Sequence, residues 1–157
     1  MREKIEKLIL ENEKISLGKV AEELKVSLVE VLRNSPTVRK YPVEKRDELF
    51  NILRGWEKVL LLVITPNFVL EIKDKFPQGF YGHGYLNFQD VNSSIGGHLS
   101  IEKIKEIFLV DDYMFGKKSY SIRFYDEDEK EVFAIYVPRD EKKELIKEYV
   151  DCFNSLI

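Results

Sequence analysis

Cysteine occurs once in this chain, at Cys152, so no intrachain disulfide can form. Histidine occurs only twice, at His83 and His98. Two imidazoles without a cysteine pair cannot complete a tetrahedral structural zinc site unaided. Long apolar runs are also missing. The longest, Val59 to Ile64, is far too short to span a bilayer. No cationic start followed by an apolar run and a small-residue cleavage site marks a secretory signal, which leaves the cytoplasm as the expected compartment. There is no excess of basic residues either. Lys plus Arg number 25 against 28 Asp plus Glu, a formal net charge of -3. A dedicated nucleic-acid binder rests on clustered Lys and Arg, so this balance argues against one. HExxH, P-loop, GxGxxG and GxSxG motifs are all absent, and hydrolytic catalysis has little support.

What the chain does have is concentrated between Phe76 and Ser100. These 25 residues hold both histidines and five of the eight glycines, interleaved with Phe76, Phe80, Tyr81, Tyr85 and Phe88. Soft nitrogen donors, aromatic walls and small residues are what a flat, apolar, metal-containing ligand needs. His98 follows Gly96-Gly97, where a planar group could approach the strand closely; Gly97 is therefore a candidate contact. Neutral imidazole suits iron, copper or zinc. The plainer alternative is a histidine that hydrogen-bonds its neighbours at a strand start. His83 lies between two glycines, a pattern that permits unusual backbone angles and suggests a bulge. Its plainer alternative is an exposed polar residue. Tyr81, Tyr85, Tyr113 and Met114 are further candidates for an axial position on haem iron, the plainer alternative for each being core or pocket wall. Arg139, Lys142 and Lys143 could pair with carboxylates such as haem propionates, the plainer alternative being a solvated face. Cys152 reads as a small hydrophobe on the packed side of a helix.

Periodicity organises the rest. At 157 residues a single domain is expected, residues 1–157. Residues 1–55 read as helical, with Ser16 capping Leu17 to Leu24 and Ser27 capping Leu28 to Asn34. A further helix is expected from about Val43 to Leu53, with Leu49, Ile52 and Leu53 inward and Gly55 as its stop. Residues 56–138 read as six to eight short strands in an antiparallel meander, broken at Asp111-Asp112. One of these segments is Phe80 to Phe88. Residues 139–157 read as a final amphipathic helix, from about Asp140 to Leu156. The fold class is therefore α+β. The pair of helices around Lys25-Val26-Ser27 looks like a helix-turn-helix. Its second helix offers only Arg33 and Asn34 for contacts, and recognition helices usually carry more.

The collinear order Phe76-Pro77-Gln78-Gly79, Gly84-Tyr85-Leu86-Asn87, Gly97-His98-Leu99 and Arg139 to Leu145 resembles the cytosolic haem-utilisation carrier family of bacteria, the HutX/ChuX type. The resemblance runs over nearly the whole chain, including Asn34-Ser35-Pro36 and Trp56. It implies a large antiparallel sheet flanked by helices, a chain similar to half of larger two-repeat haem-handling proteins, and association of two such chains as a homodimer. It also implies a protein that binds haem as cargo, passes it to a haem-degrading or haem-modifying enzyme, and is no enzyme itself. His98 falls on the family's haem-binding histidine and is the expected axial ligand. His83 matches a histidine of some relatives, others having arginine there, and is the second candidate metal ligand. Some relatives carry another haem-binding histidine where this chain has Ile64. Phe80, Tyr85 and Phe88 would cover the porphyrin. Three alternatives stay open: a DNA-binding regulator using the helical pair, a haem-degrading enzyme, and, given Ile64, a family member that has lost haem binding and acts through protein contacts.

Overall fold

The computed structural model describes residues 1–156. Three helices come first: α1 (Arg2–Glu11), α2 (Leu17–Leu24) and α3 (Leu28–Asn34). Both expected caps form. Ser16 accepts from the Lys19 amide and Ser27 from the Glu30 amide, each at 3.1 Å. The next element differs from expectation. Residues Val38–Tyr41 form a strand, β1, where only helices and connections were expected. Arg39 and Lys40 mask its pattern, because an edge strand can leave polar side chains in solvent. A 3-10 turn (Val43–Lys45) then leads into α4 (Arg46–Arg54), which ends at Gly55 as expected. Leu49, Phe50 and Leu53 are its buried residues, whereas Ile52 stays exposed.

The eight further strands among the described residues follow the expected antiparallel pattern, but with β1 they divide into two sheets. The larger has the order β1-β7-β8-β9-β2-β3, and the smaller is β4-β5-β6. The strands are β2 (Val59–Thr65), β3 (Phe68–Asp74), β4 (Gly79–Gly82), β5 (Tyr85–Phe88), β6 (Gly97–Leu99), β7 (Ile104–Met114), β8 (Lys117–Asp126) and β9 (Glu131–Tyr136). The β2–β3, β7–β8 and β8–β9 hairpins are local and were expected. The pairings of β2 with β9 and of β1 with β7 are long-range, so the order is not that of a simple meander. Asp111-Asp112 does not break β7. Asp112 is buried, accepts from the Leu17 amide at 2.9 Å, and pairs with the buried Arg123 guanidinium at 3.5 Å. That carboxylate ties the start of α2 to the sheet, so its partners offset its burial.

One face of the large sheet packs its Ile107, Leu109, Ile122, Phe124, Phe133 and Ile135 side chains in the main core, with α4, the small sheet and the last helix. On the other face, Phe108, Val110 and Tyr125 pack under the N-terminal helices. The last helix, α5 (Lys147–Ser155), is shorter than expected. Asp140 is the reason. Its carboxylate accepts the Lys142 and Glu144 amides, and Lys143 takes a left-handed φ of 64°. This local loop competes with a helical first turn. Tyr149 and Phe153 of α5 are buried, and Cys152 is half-buried, accepting from Trp56 Nε1 at 3.4 Å.

The N-terminal helices are also held by charge. Arg33 on α3 grips Glu106 on β7 with two nitrogens, and Lys40 Nζ lies 2.9 Å from the same carboxylate. The Arg33 contact is the main cause of a Glu106 pKa drawn down to about 2, Lys40 adding to it and partial burial opposing. A lowered folded-state pKa gives stability that is complete above the ordinary value near 4.5 and lost as pH falls through about 2. Glu106→Gln is expected to cost about 1–2 kcal/mol at neutral pH, a figure reduced for the solvent that screens Arg33 and Lys40. Urea unfolding of both proteins from pH 7 to pH 3 checks this. The difference must shrink on the acid side.

Candidate functional site

The histidine-bearing segment folds into the small sheet, and its register sets the site. Asn87 lies opposite Phe80 on one side and opposite His98 on the other. Cross-strand partners share a face, and so do residues two apart along a strand. Phe80, Tyr85, Asn87 and His98 therefore stand on one face of this sheet. Leu86, Phe88 and Leu99 stand on the other, toward the core. Phe80 is 54% exposed and Tyr85 42%, and His98 is exposed beside them. The Tyr85 and His98 rings meet edge to face, with centroids 6.0 Å apart. Large apolar rings left in solvent around an imidazole are a ready contact surface for a flat ligand.

Phe88 does not join Phe80 and Tyr85, contrary to expectation. It points inward and meets Phe76 edge-on at 5.5 Å and Phe50 at 6.3 Å. The cause is that Phe80 to Phe88 is not one strand. His83 and Gly84 form a two-residue turn between β4 and β5, with φ of 55° and 83°. Two consecutive positive φ values fit the twist of a tight hairpin. His83 is thus an exposed turn residue, not a bulge, and its side chain makes no hydrogen bond among the described residues. His98 differs. Its Nδ1 lies 2.6 Å from Asn87 Oδ1.

A cleft of about 230 Å³ runs from His98 into the body of the protein. Its walls are Leu61 and Val63 of β2, Leu70 and Ile72 of β3, Phe76, Phe88, Ile95 and Phe133. The Gly96-Gly97 backbone forms its rim. Gly97 has φ +137°, a conformation that strains any residue with a Cβ. Pockets that enclose a drug-sized ligand run to roughly 300–1,000 Å³, so this cleft has room for the edge of a large flat molecule rather than the whole.

The other candidates lie elsewhere. Ile64 is 44% exposed and stands on the opposite face of β2 from Val63 and the His98 cleft. Met114 lines a separate cleft with Leu60, Leu62 and Tyr136 on that same opposite face. Arg139 borders that cleft too, its guanidinium donating to the Lys143 and Lys118 carbonyls. Lys143 follows it and Lys142 lies in the adjoining turn, so this basic cluster is not beside His98. Tyr113 is stacked under the Lys118 ammonium at 4.8 Å. Tyr81 Oη is hydrogen-bonded to Asp47 of α4, an arrangement that raises its pKa through partial burial and that carboxylate. Arg33, which the DNA-binding alternative needs, is occupied by Glu106 and Glu129. Asn87 was missed in the sequence. Its signal was available, since it alternates with Tyr85 along one short strand.

Among the described residues, no group of three or more His, Cys, Asp and Glu side chains is placed to hold a metal ion. No described helix is long and apolar enough to cross a membrane.

The chain is thus an α+β fold with a split antiparallel sheet and one imidazole beside exposed rings. The family model described as haem utilisation ChuX/HutX matches residues 39–156, and the chain belongs to that family. The intracellular heme transport protein HutX of Vibrio cholerae serotype O1 is 26% identical over 158 residues, covering 99% of this chain and 82% of the relative. A solved structure of the heme binding protein ChuX superposes with a TM-score of 0.84 at 28% identity, covering 96% of this chain and 95% of that one. The heme degrading enzyme ChuS of Escherichia coli O157:H7 shares the fold, at 13% identity and a TM-score of 0.74. The chain spans 42% of its length.

Proposed function

We propose that this protein binds haem in the cytoplasm and passes it to a haem-degrading or haem-modifying enzyme, catalysing nothing itself. One observation carries the reading. An exposed imidazole stands among exposed rings at the mouth of an apolar cleft. A lone imidazole suits a metal that brings its own equatorial ligands, and haem iron does so. The family membership and the names of HutX and ChuX support the same cargo.

His98 is the axial ligand in this reading. Phe80 and Tyr85 cover part of the porphyrin face, and the Gly97 backbone lets its edge reach the cleft. Burying roughly 200–300 Å² of macrocycle contributes about 5–7 kcal/mol before association costs. His83, at the turn tip, is a peripheral contact and not the iron ligand. Residues 1–157 act as one unit. Exposed Ile64, Phe68 and Val69 at the end of the β2–β3 hairpin support association of two copies. One axial bond on an open face holds haem and still releases it, as a carrier must.

The test against the enzyme alternative uses the haem-loaded protein. With a reductant and oxygen present, the Soret band is expected to persist, and haem to move to an added apo-acceptor. Loss of the band with release of iron would replace the carrier by a haem-degrading enzyme.

A further inference from the structure

Asn87 is a polar side chain that is only 8% exposed, in a strand whose other inward and outward neighbours are apolar or aromatic. Such a group is costly unless its hydrogen bonds are made. They are made in one arrangement. Nδ2 donates to the Phe80 carbonyl at 3.2 Å and to the Gly82 carbonyl at 3.1 Å, with the Tyr85 carbonyl at 3.4 Å. Three carbonyls on one side leave the amide no choice of orientation. Its oxygen must face His98, 2.6 Å from Nδ1. An amide oxygen can only accept, so Nδ1 must carry the hydrogen.

The consequence is chemical. A neutral imidazole has one protonated nitrogen and one lone-pair nitrogen, and the partner of the first decides which is free. Nε2 makes no hydrogen bond among the described residues. We infer that Asn87 is the positioning residue of the haem site: it fixes His98 as the Nδ1–H tautomer and orients the ring so that Nε2 is presented to iron. The inference rests on His98 being the axial ligand. Groups that accept from the far nitrogen of a ligating histidine also raise its basicity, and their loss costs roughly 10–100-fold in metal affinity. The β4–β5 hairpin gains a role here. Its tight turn at His83-Gly84 brings the Phe80 and Gly82 carbonyls around the Asn87 amide, so the hairpin aims the ligand from the far side.

Two samples test this. In the apoprotein, long-range ¹⁵N–¹H NMR at about pH 8.5, some two units above the ordinary imidazole pKa, reads the tautomer directly. His98 is expected to carry its proton on Nδ1 in the wild type, and Asn87→Leu is expected to shift the proton toward Nε2. In the ferrous haem complex, the iron–histidine stretching band is expected to fall in Asn87→Leu. It is expected to rise in Asn87→Asp, where a carboxylate accepts from Nδ1 more strongly. A wild-type apoprotein protonated on Nε2 overturns the tautomer assignment, with no variant needed to fold. An iron–histidine band unmoved by both substitutions overturns the positioning role. Haem binding unaffected by His98→Ala overturns the ligand reading instead, on a different sample from the tautomer measurement.

Discussion

His98→Ala is expected to weaken ferric haem binding at least about 100-fold, equivalent to about 2.8 kcal/mol. In the proposed site its imidazole supplies the axial nitrogen through Nε2, because its Nδ1 is already committed to Asn87. What remains in the variant is apolar contact with Phe80, Tyr85 and the cleft, which is weaker and less oriented. His83→Ala is the matched control and is expected to change affinity less than about twofold, because His83 sits in an exposed turn. The contrast between the two variants matters more than either value. Equal losses would place both imidazoles on the iron and require the β4–β5 turn to fold back over the haem.

Phe76→Ala is expected to cost about 3–5 kcal/mol of folding stability, the range for deleting a buried aromatic ring. Phe76 is 1% exposed, stacks on Phe50 with centroids 5.3 Å apart, and meets Phe88 edge-on. It is therefore the ring that joins α4, the small sheet and the His98 cleft. The substitution leaves a void where the floor of the cleft was. Chemical denaturation measures the stability loss, and Phe76→Leu, which keeps much of the volume, is expected to lose clearly less. A loss below about 1 kcal/mol for Phe76→Ala would mean that the small sheet packs by other contacts.

Local signals are legible in the chain, and long-range ones are not. Ser16 and Ser27 announce helices because a cap acts within one turn. The β8–β9 hairpin is visible because its alternation and its acidic turn are contiguous. The strand Val38–Tyr41 was invisible because its reason for existing is β7, about seventy residues away. The division into two sheets has the same origin, since nothing near Val59 states that Leu61 will lie opposite Ile135. At the site, His98, Phe80, Tyr85 and Gly97 stood out by residue type. The pattern puts Phe88 on the wrong face, because a histidine between two glycines suggests a bulge within a strand where the chain makes a turn. A two-residue turn and a bulge count residues differently, and one residue of slip inverts every side chain beyond it. Asn87 is the other face of the same error. Once the turn is placed correctly, Asn87 falls opposite His98 and Phe88 falls in the core.

In the proposed reading this chain binds haem through one imidazole on an open sheet face. Titration of the purified apoprotein with ferric haem, followed at the Soret band, is the decisive test. Saturation at one haem per chain, lost in His98→Ala and kept in His83→Ala, is the predicted result. A wild-type titration that never saturates would contradict it.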